Sequence, residues 1–174
     1  MRIKETKVYQ FAELSDKAKE SAVNNMANIN IDYEWWENTF YDAEHTALLK
    51  LTAFDTDRFC DGEFIEDAEE TAKKIISEHG KNCDTLLTAR EYMTDRNNLV
   101  KKYSDGKQID IVTEDNEYDF DNDLDDLNSE FLKSILEDYR IILRKSYEYL
   151  SSEKAIIETI EANEYEFTED GELS

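Results

Sequence analysis

Between Ile31 and Phe59 the hydrophobic period changes once, and that change limits the possible folds more than any other feature. Trp36, Phe40, Ala43 and Ala47 recur at intervals of four, three and four residues, which places them on one face of a helix. Leu49, Leu51 and Ala53 then alternate with Lys50 and Thr52, the two-residue period of a strand. Asp32 stands where its carboxylate can cap the helix by accepting from free N–H groups of the first turn. A helix carrying large aromatic side chains thus feeds directly into a strand. Trp36 and Phe40 are expected in the core.

The remaining elements follow from the same reading. The chain has no proline and only 4 glycines among 174 residues, a composition that favours long helices with few tight turns. Lys7 to Phe11 reads as a short strand. Ser15 caps a helix with Ala18, Ala22, Met26 and Ile29 on one face. Cys60 to Phe64 turns or extends the Leu49 strand into a hairpin. Asp67 to His79 is a helix with acids in its first turn and Gly80 just past its end. Leu86, Ala89, Met93, Val100 and Tyr103 mark another helix, interrupted at Asp95-Arg96-Asn97-Asn98. The run from Asp105 to Asp126 is dominated by acids that repel one another, and it reads as a solvated loop and boundary. Leu127 to Leu150 is a long helix whose broad apolar face includes Phe131, Ile135, Tyr139 and Leu143. Glu153 to Ala162 is a shorter helix, and Tyr165 and Phe167 alternate with acids in a terminal strand. The fold class expected is α+β, mostly helical with a small antiparallel sheet built from strands near the start, middle and end. Residues 1–174 are read as a single domain, with an acidic loop at 105–126 before the long C-terminal helix.

Charge carries most of what the sequence says about function. There are 43 Asp and Glu against 20 Lys and Arg, a formal net charge of -23. Such a charge repels itself and costs folding free energy. It argues against direct binding to nucleic acid or to an anionic membrane, and it suits a basic protein or a nucleic-acid-binding complex as partner. A hydrophobic content of 40% still provides for a core. Met1 to Lys7 has no apolar run, so no signal peptide is expected. No stretch is long enough for a membrane span. Cys60 and Cys83 make no disulfide framework, which points to a reducing, cytoplasmic setting.

No catalytic constellation stands out. There is no Gly-x-Ser-x-Gly elbow and no Gly-rich phosphate loop. His45 and His79 read as structural histidines. With Cys60 and Cys83 they supply the residue types of a zinc site, but not the spacing of a zinc finger. Asp55, Asp57 and Glu63 have the chemistry for magnesium, yet Asp-x-Asp before a turn reads first as a polar strand end. Asp119, Asp121, Asp123 and Glu130 fit positions of a calcium loop, but Leu124 stands where that loop requires glycine. No catalytic residue, metal or cofactor is therefore expected. The residues expected to bind a partner are the acids Asp115, Glu117, Asp119, Asp121, Asp123, Asp125 and Asp126. Carboxylates at short spacing on a rigid frame can imitate a phosphate backbone.

Leu14-Ser15-Asp16-Lys17-Ala18-Lys19, Asp32-Tyr33-Glu34-Trp35-Trp36, Phe54-Asp55-Thr56-Asp57-Arg58, Gly62-Glu63-Phe64 and Glu164 to Gly171 together resemble a group of small acidic bacteriophage proteins. Members of that group are labelled antitoxin-like or carry no function. The likeness spans most of the chain except the central acidic run. It implies a phage protein acting in the host cytoplasm and carries over no catalytic residue. The leading expectation is a non-enzymatic inhibitor that blocks the basic groove of a host CRISPR effector or restriction enzyme by nucleic-acid mimicry. The alternatives are an antitoxin masking a basic toxin, a small-ligand sponge and a metal-dependent enzyme.

Overall fold

Ser15, Asp67 and Ser152 start three of the helices, each by accepting from the backbone N–H three residues on, at Ala18, Glu70 and Ala155. Each satisfies one of the donors that a first turn leaves free. The structure, a computed structural model, describes residues 7–104 and 117–174. It is mostly helical α+β. Among the described residues the helices are α1 (Asp16–Asn25), α2 (Glu37–Ala47), α3 (Ala68–Glu78), α4 (Asp84–Tyr103), α5 (Glu117–Leu150) and α6 (Glu153–Ala162). The strands are β1 (Tyr9–Gln10), β2 (Leu49–Asp55), β3 (Phe59–Phe64) and β4 (Glu166–Phe167). No described helix is long and apolar enough to cross a membrane. Two compact units are distinguishable, one from residues up to Trp35 together with Lys145–Ser174, the other Trp36–Arg144.

In the first unit β1 and β4 pair antiparallel, with Tyr9 opposite Phe167. Phe11, in a 3-10 turn rather than in the strand, meets Phe167 edge to face at 6.3 Å. Around that pair gather Leu14, Ala18, Ala22, Ile156 and Ile160, all buried. Asn30 is buried too and fully used. Its amide donates to Leu150 O at 3.0 Å, and its oxygen accepts from Thr159 at 2.7 Å. Gly171 has φ +87°, and a Cβ there would run into the carbonyl of Ala18. The chain after β4 therefore lies directly on α1, at a distance only glycine permits.

In the second unit α2 ends at Leu48, which takes a left-handed conformation with φ 52° and turns the chain into β2. β2 and β3 form a hairpin, as the sequence suggests. Its core contains Ala43, Ala47, Leu49, Ala72, Ile75 and Leu86, each nearly or fully buried. α5 supplies Phe131, Ile135, Tyr139 and Leu143 to the same core.

Several expectations need correction. The strands make two separate two-stranded sheets instead of one. Asp32 caps no helix: the chain is still turning there, with the N–H groups of Ile31 and Asp32 both donating to Asn28 O, and α2 begins only at Glu37. Trp36 and Phe40 are half-buried. They pack edge-on against Phe54 at 5.6 and 5.8 Å, at the margin of the core. The alternation of β2 breaks because Leu51 lies opposite Gly62 and Ala53 opposite Asp61, so that Thr52 is an extra residue. Past this bulge Ala53 is exposed and Phe54 turns inward. α4 runs without interruption through Asp95-Arg96-Asn97-Asn98, since three of the four are exposed and Arg96 pairs with Glu69 of α3. The expected loop at 105–126 is helical from Glu117 onward, and its first part lies outside the described residues.

The approach of Gly171 to α1 makes a direct prediction. Gly171→Ala should destabilise the protein by about 1–3 kcal/mol, the range for a forced left-handed residue. Urea denaturation measures this, and an unchanged midpoint would show that the chain does not lie on α1.

Candidate functional site

α4 and α5 run antiparallel, as the ties along their contact show. Thr88 donates to Asp138 at 2.7 Å, Tyr92 to Asn128 at 2.8 Å and Tyr103 to Asp123 at 2.8 Å. As the α4 residue number rises, its partner's number on α5 falls. Tyr92 stacks on Phe131 at 4.3 Å, and Phe131 stacks in turn on Phe64 of β3 at 5.8 Å. These rings anchor both helices to the hairpin. Stacked aromatic pairs of this kind contribute roughly 0.5–1.5 kcal/mol beyond their burial.

Beside this seam lies a groove. One part, about 510 Å³, is lined by residues from Thr88 to Asp95 on α4 and Leu127 to Asp138 on α5. A second part, about 380 Å³, shares Asp95, Leu127 and Glu130 with the first and continues to Lys102 and Asp123. From Thr88 to Lys102 the rise is about 21 Å, at 1.5 Å per residue. The floor is apolar, made by Tyr92, Leu99, Leu127 and Phe131. Glu91, Asp95, Asp126, Glu130 and Glu137 are exposed along its rim. Lys133 and Lys102 are the bases of the lining, and Lys102 is tied to Asp123 at 2.8 Å.

Two carboxylates here are electrostatically distinct. Burial pushes Asp138 above the ordinary carboxylate range, against the hydrogen bond from Thr88, and the charges of Asp84 and Glu137 add to the rise. Hydrogen bonds from Lys102 and then Tyr103 hold Asp123 below it.

The acids singled out from sequence fare unequally. Asp115 and the side chain of Glu117 lie outside the described residues. Asp119, Asp121, Asp125 and Asp126 are exposed on α5, and Asp123 is half-buried. Helical residues two apart are turned by roughly 200°. Asp119, Asp123 and Asp126 therefore share one side of α5, and Asp121 and Asp125 point away from it. The same geometry prevents Asp119, Asp121 and Asp123 from converging on a calcium ion. Not read from the sequence as site residues were Glu91, Asp95, Glu137 and Asp138, and Glu130 was read only as a position of a calcium loop. For Glu91 and Asp95 the signal was present: Thr88, Glu91, Tyr92, Asp95, Leu99 and Lys102 follow one stripe of α4, visible once that helix is read as unbroken.

The other candidates are engaged in structural roles. Asp55 accepts from the N–H of Asp57 at 3.0 Å, and Arg140 donates to Thr56 O at 2.6 Å, so the Asp-x-Asp forms the hairpin tip. Cys60 is buried, and burial pushes its thiol up to about 11. His45 stacks on Tyr41. His79 sits between two hydroxyls, Thr46 at 2.9 Å from Nε2 and Thr85 at 2.7 Å from Nδ1. Thr46 gives its single proton to Asp42, whose backbone and carboxylate oxygens lie at 2.8 and 3.1 Å. That assigns the imidazole proton to Nε2 and leaves Nδ1 to accept from Thr85. Tyr139 donates to Asp42 at 3.2 Å and completes the chain. Among the described residues no three His, Cys, Asp or Glu side chains gather where they could hold a metal ion.

No family model, no curated protein and no solved structure matches this chain.

Two pH-dependent outcomes follow. Burial holds His79 below the ordinary imidazole range, opposed in part by the charges of Asp42 and Glu78. The unfolded chain therefore takes up this proton first as pH falls through about 6.5, and stability drops there. Chemical denaturation between about pH 5 and 7.5 should show a steeper loss for the parent than for His79→Gln; parallel curves would remove His79 as the cause. Asp138 has the opposite sign. Its raised folded value means that its contribution is present at low pH and is lost as pH rises to neutrality. Asp138→Asn, which can still accept from Thr88, should raise the melting temperature at pH 7, and a lower melting temperature would contradict this.

Proposed function

We propose that this protein is a non-enzymatic inhibitor of a basic, nucleic-acid-binding factor, and that its carboxylates take the place of phosphates. The observation that carries the reading is the net charge of -23, with acids set along the exposed rims of two rigid helices. On one helix face, carboxylates at intervals of three or four residues stand about 4.5–6 Å apart along the axis. That is sparser than the 3.4 Å per charge of one DNA strand. A factor that exchanges DNA for such a surface keeps its basic groove filled without reading any base. The resemblance to bacteriophage proteins supports a host defence effector, of CRISPR or restriction type, as the factor and the host cytoplasm as the place of action.

A second reading, an antitoxin masking a basic toxin, is favoured by the apolar floor of the groove. Phosphate mimicry alone has no use for such a floor.

The test is displacement of labelled duplex from purified effectors at rising salt. Exposed charges are screened within about 8 Å at physiological ionic strength, so displacement should weaken steeply with salt. Neutralising Asp119, Asp123 and Asp126 together should weaken it more than neutralising Asp121 and Asp125, and any single change should do little. A salt-insensitive complex that leaves the duplex bound would sink the mimicry and favour the antitoxin.

A further inference from the structure

We infer that the α4–α5 groove receives an α-helix of the basic partner, about four turns long, with one apolar stripe flanked by Lys and Arg. The inference rests on the reading that the partner is a basic protein and adds where and how it docks. Length is the first observation. The groove runs about 21 Å, which is the rise of about fourteen helical residues. Its shape is the second. Two antiparallel helices with an open seam between them present the furrow into which the side-chain ridge of a third helix packs. The floor is the third. Leu99 and Leu127 are half-buried there, at the level of the buried rings of Tyr92 and Phe131. They offer apolar surface to anchors at helical spacing, the usual way an amphipathic helix is held in a groove.

Charge complementarity decides which helix. Glu91 and Asp95 stand on the α4 rim, and Asp126, Glu130 and Glu137 on the α5 rim. Glu137 is held by Arg140, Lys133 is a base of the lining, and Lys102 is committed to Asp123, which leaves Glu91, Asp95, Asp126 and Glu130 to set the sign of the rims. A helix with acidic flanks would meet like charge on both sides, whereas one with basic flanks gains on both. The same layout links the groove to the broader reading. The major groove of DNA also admits a helix between two rails of negative charge. A nucleic-acid-reading helix is accordingly the element of the partner best suited to this seam.

The experiment is an NMR titration of the full chain with a synthetic Leu/Lys peptide of about fifteen residues. Its leucines follow helical spacing. A shuffled peptide of the same composition serves as the control for simple charge attraction. The amphipathic peptide should shift backbone amides along α4 and α5 beside the groove and bind at least about tenfold more tightly than the shuffled one, a difference of about 1.4 kcal/mol. Glu91→Lys with Glu130→Lys should weaken the binding of both peptides, and Leu127→Asn, which leaves the charge unchanged, should remove the advantage of the amphipathic one. Should these variants unfold, the shift map on the parent protein still decides. Equal binding of both peptides, or shifts confined to other surfaces, would overturn the proposal. The two readings fail separately. Duplex displacement without groove binding removes only the helix, and groove binding stands even if no duplex is displaced.

Discussion

Forty-three acids in 174 residues repel one another, and several helix contacts meet that cost locally. There a hydroxyl or a base faces the carboxylate. Asp138 has Thr88, Asp123 has Tyr103 and Lys102, and Asp42 has Tyr139. Glu69 is shared by Lys73 and Arg96, and Glu137 is held by Arg140 through two bonds of 2.7 and 2.6 Å. Exposed pairs of this sort add little stability one by one. Their effect is to keep unrelieved repulsion out of the contacts. Attraction has to come from the apolar side, through the rings of Tyr92, Phe131 and Phe64 and the buried face of α5.

The groove is a by-product of that division of labour. Hydroxyl-to-carboxylate ties at Thr88 and Tyr103 fix the two ends of the α4–α5 seam, and the stacked rings fix its floor. Glu91, Asp95, Asp126 and Glu130 stand exposed on the rim, and Glu137 beside them is held by Arg140. A helical pair assembled in this way presents an apolar strip between charged margins. The features that hold the protein together and those that suit a basic partner therefore come from the same residues. A change at Tyr92 would be felt in both, whereas Glu91 or Glu130 on the rim can be altered with little effect on packing.

Much of the architecture was legible because helix punctuation is local. Ser15, Asp67 and Ser152 announce their helices with a side chain three residues from its partner, and Leu48 is followed at once by a change of period. What failed involved competition between local and distant terms. Asp95 to Asn98 looks like a break because four polar residues in a row suit a loop, yet they make one turn of a helix in which Asp95, Asn97 and Asn98 meet water and Arg96 pairs with Glu69 of α3. Glu117 to Asp126 looks like a loop because its charges repel. Phe120, half-buried, meets Tyr103 at 5.6 Å, and Lys102 neutralises Asp123, so the helix extends back through the acids. Of the acids singled out on α5, only Asp123 and Asp126 line the groove. The acids of α5 stood out as a cluster, while those of α4 were dispersed at helical spacing and only the fold brings them opposite.

A two-stranded ribbon leaves one edge of each strand without a strand partner, and such edges recruit strands from other molecules. In β2–β3 the additional Thr52 breaks the even hydrogen-bond ladder and increases the local twist. Lys50 and Glu63 set a charge pair across the exposed face next to it. A second ribbon approaching edge to edge would find no flat, regular ladder to extend, and it would arrive on a molecule of the same strong charge. The residue that spoils the alternation of β2 thus also guards the hairpin against growth into fibrils.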